Sequence, residues 1–459
     1  MTGRMTRAGH RAGCMLALAL TVAPATSEAQ QPAWQQPQRE APERPTGAVF
    51  EGSRRPRRDV LNLTTDMYGG YDQELQGPPG TNPFGLVRTG SFAGLDLGLG
   101  FSPTQNDTVD FNARAFTSLR YYTNPSDLAP ASSNGDAAAS FRFGRRVSLQ
   151  TRGGFLYAPY YDFPLIAVIP STSELAEIPL RVRDVPVSSR RIGTYDAVSH
   201  LSVSLSRNTG LGFGYGVRRT DLIEESQSAV DTQASAQFNY RINRRTSTRV
   251  SYVHRESEQE VAFGTLSPVR IDDLETTIER EWVRSPTRQT HFSFTFGPSL
   301  VQERGRRLTR AIAGASLGHT FARSWEIRGS YRRGMTFLDG VLTPVPSNAV
   351  MLNLGGMLTR RLELSVGAAA ILGEVGLDTV AASTHDSHIR SVRLWFAMSS
   401  RLALNGEYVY QQHRFNDLST EPLPSHRSGV RGGLTWYLPL IQESIRREPP
   451  GARRTPATP

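Results

Sequence analysis

The sequence predicts an all-β protein: a transmembrane, antiparallel, up-and-down β-barrel of about 18 strands, with 16 as the alternative. Three observations predict this fold. Apolar and polar residues alternate along most of the chain, short and long connections alternate between the strands, and the chain after its first thirty residues has no run of about 18 apolar residues. The last observation excludes a membrane-spanning helix, so a chain that enters a bilayer must cross it with strands.

The composition is that of a polar chain with many turns. Hydrophobic residues make up 38% of the 459 residues, and the chain holds 41 Gly and 29 Pro. All 52 basic residues are arginine, and the net charge is +10. Because these arginines are spread among 42 acidic residues instead of forming one basic patch, we expect no nucleic-acid partner.

Residues 1–29 have the pattern of a secretory signal peptide. Arginines precede an apolar run at 14–23, and small residues precede a cleavage site after Ala29. The one cysteine, Cys14, lies within this segment. The mature chain therefore has no disulfide and no catalytic thiol.

Three further segments follow from composition and periodicity. Segment 30–58 is rich in Pro, Gln and Arg, so we expect a disordered periplasmic segment. Segment 59–438 carries the alternation and is the predicted outer-membrane barrel, and 439–459 is a predicted periplasmic C-terminal tail.

Segment 109–121 shows the alternation most clearly. One face is mainly apolar and the other mainly polar, as in a strand with lipid on one side and water on the other. The first face carries Val109, Phe111, Ala113, Ala115, Thr117, Leu119 and Tyr121, and the second carries Asp110, Asn112, Arg114, Phe116, Ser118 and Arg120.

Eight short turns, most of them bearing Arg, separate the predicted strands into pairs. They lie near residues 104, 145, 208, 244, 286, 323, 360 and 400. In this interpretation short and long connections alternate strictly, with short turns on the periplasmic rim and nine longer loops outside. Both termini then lie in the periplasm and the number of strands is even.

Aromatic residues near both ends of the strands fit two interfacial girdles. Those near the short turns are Phe101, Phe143, Tyr240, Trp282, Phe321, Trp325 and Trp436, and those near the loops are Tyr121, Tyr157, Tyr252, Tyr331 and Tyr408. Arg280 shares the lipid face with Trp282, so we expect its side chain to reach toward the interface. A soluble propeller also repeats near 40 residues, but it would need four short strands per repeat where this chain has room for two long ones.

The polar face carries charges of both signs that we predict to line the lumen. Asp273, Glu275, Glu279 and Glu281 share one face of a predicted strand, and the preceding strand carries Arg249 and Arg255 on its polar face, so we expect ion pairs between these two strands. Such opposed acidic and basic walls could orient solutes, or the charges could simply pair within a wet interior. Rings of Arg favour anions in pores, so we expect a preference for anions. The candidate residues are Arg114, Arg120, Arg142, Arg241, Arg249, Arg255, Asp273, Glu275, Glu279, Glu281, Arg328 and Arg332.

Enzymatic candidates are few, and we predict that the chain is not an enzyme. His200 and Ser202 share the lumen face of one strand, a spacing also used by some outer-membrane lipid hydrolases, but the sequence identifies no acid to orient the histidine. His385 and His388, in a segment interpreted as a loop, have no further metal ligands at suitable spacing. We predict no catalytic, cofactor or metal site.

The hairpins at 201–218, 236–255 and 313–333 resemble outer-membrane proteins of the β-barrel porin 2 type. The shared pattern is a Ser- or Arg-bearing turn between amphipathic strands that end in Gly-Tyr. The resemblance implies a barrel in the outer membrane, with some family members associated with exopolysaccharide export, and it implies no catalytic residue. Many such barrels end on an aromatic residue, whereas here a tail follows the last predicted strand.

The sequence therefore favours a porin-like passive channel for small hydrophilic solutes, because 16 to 18 strands leave an aqueous channel. The apolar core of the predicted loop 158–190 would plug the lumen if it folded inward. The alternative is a structural or export-associated barrel that acts through its loops and tails. Expected partners are outer-membrane lipid and the barrel-assembly machinery, and the sequence leaves open a homo-oligomer or another envelope partner.

Overall fold

The computed structural model divides the chain into a unit at Met1–Ala41 and a unit at Pro42–Pro459. The first lies outside the described residues. In the second, the structure describes residues 57–75, 90–103, 108–122, 131–159, 191–222, 227–261, 264–265, 268–285, 288–303, 305–322, 324–336, 345–375, 383–416 and 423–444. Within these ranges no helix is long and apolar enough to cross a membrane.

The described residues form one closed antiparallel barrel. Eighteen long strands pair in chain order, β1 pairs with both β2 and β19, and the two-residue β10 extends the edge of β9. This confirms the predicted fold class and the even number of long strands. The strands are β1 (Arg57–Leu75), β2 (Ser91–Phe101), β3 (Val109–Tyr122), β4 (Ala131–Phe143), β5 (Val147–Pro159), β6 (Arg191–Ser204), β7 (Thr209–Leu222), β8 (Gln227–Asn243), β9 (Thr246–Val261), β10 (Gly264–Thr265), β11 (Val269–Ser285), β12 (Arg288–Glu303), β13 (Arg306–Phe321), β14 (Trp325–Thr336), β15 (Val345–Met357), β16 (Leu362–Val375), β17 (Ser383–Ala397), β18 (Leu402–Asn416) and β19 (Leu423–Ser444).

The first and last strands extend beyond the predicted limits of 59 and 438. β1 begins at Arg57 and β19 ends at Ser444, and these two residues are register partners. The neighbouring residues Leu440 and Ile441 are both exposed, and the register shifts at this point, where Leu61 pairs with Ile441 and Asn62 pairs with Pro439. The predicted signal peptide and nearly all of segment 30–58 lie outside the described residues.

Each of the eight predicted turns lies between two successive strands; seven of these connections span two to four residues, whereas 102–108 spans seven. The strict alternation with long loops is wrong, because at the opposite rim only two residues, 304–305, separate β12 from β13 and only four, 223–226, separate β7 from β8. Gly305 has φ +79°, a left-handed conformation that glycine adopts without a Cβ clash. A second prediction is also wrong: the segment with His385 and His388 belongs to β17 and is not a loop.

The barrel has an apolar outside and a polar inside. Large apolar side chains are exposed on the outer face, among them Leu119, Phe213, Phe294, Leu352, Leu404 and Leu434. Polar side chains are buried on the inner face, among them Asp96, Ser118, Asn239, Thr277 and Glu407. This arrangement is the reverse of a soluble protein and is the one a membrane-spanning barrel requires.

The predicted girdle residues are mostly exposed on the outer face. Tyr121 is 71% exposed at the loop end, and Trp436 is 54% exposed at the short-turn end. Arg280 lies with its guanidinium carbon 4.9 Å from the centre of the Trp282 ring, which lets the cation leave the apolar band along an aromatic surface.

The turn at Gly305 can be tested with a pair of glycine substitutions. We expect Gly305→Ala to lower the free energy of unfolding by about 1–2 kcal/mol, because alanine must adopt the left-handed conformation. Gly406→Ala is the control, since a Cβ there meets no atom within 4 Å. Urea unfolding of the lipid-reconstituted barrel, followed by tryptophan fluorescence, measures both variants. Equal effects of the two substitutions would contradict the strain argument.

Candidate functional site in the barrel lumen

An acidic patch on the inner face of β11 forms the centre of the lumen site. Asp273 and Glu275 are each only 2% exposed, although both belong to a wall that faces the interior. Arg255 of the neighbouring β9 forms an ion pair with Asp273. Nearer the short-turn ends of the same two strands, Arg249 lies 3.5 Å from Glu279. These are the cross-strand pairs that the sequence interpretation expected between the two strands.

Glu275 is paired with an arginine from a more distant strand. Arg332 of β14 donates a hydrogen bond to a carboxylate oxygen of Glu275 at 2.9 Å, although β12 and β13 lie between the two strands in the ring. The contact therefore runs along the inside of the wall instead of between neighbours. It brings two arginines and two acids into one buried cluster, which we call the charge cluster: Arg255, Asp273, Glu275 and Arg332.

The end of β14 leaves the barrel wall and enters the lumen. Pairing between β13 and β14 stops at Ala313 and Arg333, while β14 and β15 remain paired up to Thr336 and Val345. In an unbent strand Met335 would share the outward face of Tyr331, since the two are four residues apart.

Met335 nevertheless packs against the lumen side of β11 and β12. It is 2% exposed and forms an apolar cluster with Val269, Ile271 and Val301. Ile271 lies on the same face as Asp273, which is the lumen face. The outward side of the bent hairpin end therefore rests on the inward side of β11 and β12.

A hydrogen bond connects this hairpin to the charge cluster. Arg255 donates to the main-chain carbonyl of Met335 at 3.1 Å while it pairs with Asp273. Charged groups with so little exposure are stable only when paired, because the desolvation of a lone ion costs several kcal/mol. The hairpin position and the charge pairing thus depend on each other, and together they narrow the lumen near the loop end.

A second polar network lies on the far side of the ring. β1 is nine strands from β11 in either direction. On its inner face the Tyr68 hydroxyl donates to Asp96 at 3.0 Å and accepts from Arg120 at 3.0 Å. Arg431 lies over the Tyr68 ring with its guanidinium carbon 5.2 Å from the ring centre.

This second network also has an acidic centre. Glu407 of β18 is buried and contacts two arginines from the neighbouring strands, Arg393 at 2.7 Å and Arg431. Next to it, Asn405 donates to Asp66 at 2.9 Å and to Thr435 at 2.8 Å. Two opposed walls with mixed charges therefore face each other across the interior.

The remaining predicted lumen residues lie on the inner face by strand parity but outside the charge cluster. Arg120 belongs to the second network, whereas Arg142 is exposed near a short turn. Arg328 pairs with Glu326 of its own strand at 2.5 Å. Arg114, Arg241 and Glu281 are half-buried on β3, β8 and β11.

His200 and Ser202 are in contact, but their surroundings do not make a hydrolytic site. The Ser202 hydroxyl lies 3.2 Å from His200 Nδ1, and the Gln237 amide nitrogen lies 2.9 Å from His200 Nε2. An amide donor at Nε2 leaves the proton on Nδ1, where it faces the hydroxyl and prevents base catalysis. His388 pairs with Asp386 at 2.9 Å, and the described residues contain no cluster of three metal-binding side chains.

Sequence reasoning missed the inward hairpin and the Tyr68 network. One signal was available: Val269 and Ile271 are apolar on the same face of β11 as Asp273 and Glu275, which is unexpected for a wall in contact with water. The proposed plug, loop 158–190, lies almost entirely outside the described residues. The segment observed to enter the lumen is instead the end of β14 and β15.

No protein-family model and no curated protein matches the chain. Among solved structures, it aligns with Pseudomonas aeruginosa OccK2 (OpdF) at 10% identity and a TM-score of 0.45, over 83% of this chain and 98% of that chain. Acinetobacter baumannii OccAB3 aligns at 9% identity and a TM-score of 0.45, over 82% and 99%. P. aeruginosa OccK11 (OpdR) aligns at 11% identity and a TM-score of 0.43, over 83% and 96%.

The link between the charge cluster and the hairpin predicts a specific response to mutation. Arg255→Ala removes the partner of Asp273 and the bond to the Met335 carbonyl, so we expect a loss of about 3–5 kcal/mol in unfolding free energy and a larger single-channel conductance. In the double variant with Arg255→Ala and Asp273→Ala, we expect the free energy of unfolding to recover much of its original value, while the conductance stays larger than that of the unmodified channel. Urea unfolding and planar-bilayer recordings measure the two effects.

Arg219→Ala is the matched control for this cycle. Arg219 pairs with Asp221 at 2.8 Å on the outer face and is 57% exposed. We therefore expect Arg219→Ala to lower the free energy of unfolding by less than about 1 kcal/mol. An Arg255→Ala channel with unchanged conductance would show that Arg255 does not hold the hairpin in place.

Proposed function

We propose that this protein is a porin-like channel of the outer membrane that carries small hydrophilic solutes passively. The observation that supports this most directly is the closed ring of 18 long strands with a polar inner face and an apolar outer face. A ring of this size encloses more space than its inward side chains can fill. Solutes would cross between the charge cluster on one wall and the Tyr68 network on the other.

In this proposal the two charged walls act on the solute as well as stabilising the barrel. Their paired charges present fixed dipoles across the path, which can orient a polar solute as it passes the narrow section. The bent hairpin on β11 and β12 reduces the width at that level. The channel is therefore expected to pass small solutes and to exclude large ones by size.

A ring of arginines at the short-turn rim supports a preference for anions. All of these arginines are exposed, and the described residues of the turns themselves hold no Asp or Glu. A positive mouth raises the local concentration of anions and favours their entry. The ring consists of Arg145, Arg146, Arg207, Arg244, Arg245, Arg284, Arg288, Arg360, Arg361 and Arg401.

No catalytic step is part of this proposal. Chemistry on a solute would need a base that can accept a proton from Ser202, and the contact of His200 with Gln237 opposes that role. Passive diffusion needs only an aqueous path with suitable width and charge.

Conductance of the chain without its predicted signal peptide tests the channel directly. We expect stable open steps in a planar bilayer, and a reversal potential under a KCl gradient that indicates anion preference. Barrel insertion has to be verified independently by the heat-modifiable migration of the folded barrel on gels. A folded, inserted barrel that never conducts would refute the channel and favour a structural or export-associated role.

The arginine rim can be tested by charge removal at two ends of the barrel. Changing Arg145, Arg146, Arg244 and Arg245 to Gln should shift the reversal potential toward that of a non-selective pore. The control changes Arg219, Arg270, Arg307 and Arg390 to Gln, which removes as many charges from the outer surface near the loop end. If both quadruple variants shift the potential equally, the turn rim does not set the selectivity.

A further inference from the structure

An arginine without a counter-charge lies on the lipid-facing side of β11. Arg280 is outward-facing by strand parity, since it alternates with the inward Glu279 and Glu281. Its Nε atom is buried and has no hydrogen-bond partner among the described residues. The short-turn halves of β9 and β11–β14 place no described Asp or Glu on the outer face. Because a charge on the lipid face is destabilising, this arginine calls for an anion that the described part of the chain does not supply.

The Arg280 side chain reaches toward the short-turn rim. Its guanidinium carbon lies 4.9 Å from the centre of the Trp282 ring, and Trp282 is two residues nearer the short turn. Aromatic girdles mark the level at which acyl chains give way to headgroups. The guanidinium is therefore held at the level where lipid phosphates lie.

A second cation approaches the same level from the rim. Arg288 is exposed on the outer face of β12, two residues before Thr290, which is the register partner of Trp282. Arg280 and Arg288 thus lie on either side of the Trp282–Thr290 pair, one toward the apolar band and one toward water. Guanidinium groups bind phosphate through paired, charge-assisted hydrogen bonds, so an anion between these two arginines would contact both.

His319 of β13 adds a hydrogen-bond donor beside the two arginines. It is the register partner of Thr290, and the Thr290 hydroxyl oxygen lies 2.8 Å from His319 Nδ1. When the hydroxyl donates to Nδ1, the imidazole carries its proton on Nε2. That N–H can then donate to an oxygen of a bound headgroup.

Aromatic rings extend this surface across β13 and β14. His319 stacks on Phe321 with 5.8 Å between ring centres and 11° between ring planes, and Phe321 stacks on Trp325 at 6.2 Å and 24°. A Cβ at Gly356 of β15 would come within 2.4 Å of the Trp325 ring, so that ring occupies the space of the missing side chain and lies close to the sheet. The three rings form a low platform on which the glycerol part of a lipid can rest.

We propose that this outer-face site binds an anionic phospholipid of the leaflet at the short-turn end. The phosphate contacts Arg280 and Arg288 and accepts a hydrogen bond from His319 Nε2, while the acyl chains lie over the exposed Phe294 and Leu317. A choline headgroup would bring its own cation next to two arginines, so a lipid with net negative charge is favoured. The inference is independent of solute conduction, because the site lies outside the lumen.

Quenching of tryptophan fluorescence by brominated lipids measures this binding. Trp282, Trp325 and Trp436 lie on the outer face near the short turns and report lipid contact there. The full chain is reconstituted in phosphatidylcholine bilayers, and dibrominated phosphatidylglycerol or dibrominated phosphatidylcholine replaces a growing fraction of the lipid. We expect phosphatidylglycerol to associate about tenfold more strongly, the equivalent of one charge-assisted hydrogen bond. Equal quenching by the two lipids in the folded barrel would overturn the proposal.

Three variants locate the site while the tryptophan reporters stay in place. Arg280→Gln should remove the preference for phosphatidylglycerol, and His319→Phe, which keeps the ring stack without the Nε2 donor, should lower it about threefold. Arg207→Gln is the matched control, because Arg207 is exposed in a different short turn of the same rim, and it should leave the preference unchanged. An unaltered preference in the folded Arg280→Gln barrel, or an equal loss in Arg207→Gln, would refute the site.

Inorganic phosphate distinguishes a lipid site from a site for free anions. Added in excess at constant ionic strength, it should leave the preference for phosphatidylglycerol unchanged, because the acyl chains contribute to binding. If inorganic phosphate removes the preference, the arginines bind a soluble anion and the lipid proposal is wrong.

Discussion

The structure depends on the closure of the sheet by β1 and β19. In a bilayer there is no water to satisfy the backbone, so each strand edge must find a partner within the protein. The register that joins Arg57 to Ser444 and Leu75 to His426 satisfies the last two edges along the whole length of β1. Once the ring is closed, the period of two in each strand assigns every side chain to lipid or to the lumen.

Closure of the ring determines where charged side chains lie and how they pair. Within the apolar band most outward positions are apolar, so most long polar side chains at that level lie inside, where they either remain hydrated or pair with each other. On the β9–β14 side they pair so completely that Asp273 and Glu275 lose almost all contact with solvent. On the opposite side, Glu407 is held between Arg393 and Arg431 in the same way. Buried ion pairs, which the core of a soluble protein would exclude, therefore line the lumen.

Departure of the β14–β15 end from the wall alters both the lumen and the outer surface. The same bend that places Met335 on Ile271 and Val301 also separates β14 from β13 and leaves a cavity of about 380 Å³ beside the bent hairpin. Strand separation in a bilayer is costly where backbone groups lose their partners. Here it occurs beyond the girdle residue Tyr331, at the level where water and headgroups can satisfy the exposed edge of β13.

The sequence by itself determined the local features: an even number of long strands near 18, the positions of eight turns, and the faces of segments such as 109–121, because turn chemistry and a period of two act over neighbouring residues. It also identified Arg255 and Asp273 as facing charges on adjacent strands. Tertiary structure alone decided that Arg255 reaches the Met335 carbonyl, 80 positions along the chain, and that Arg332 reaches Glu275. The contact with Met335 depends on a bend that brings the outward side of the β14–β15 end onto the lumen side of β11 and β12, and no periodic pattern within a single strand contains that information.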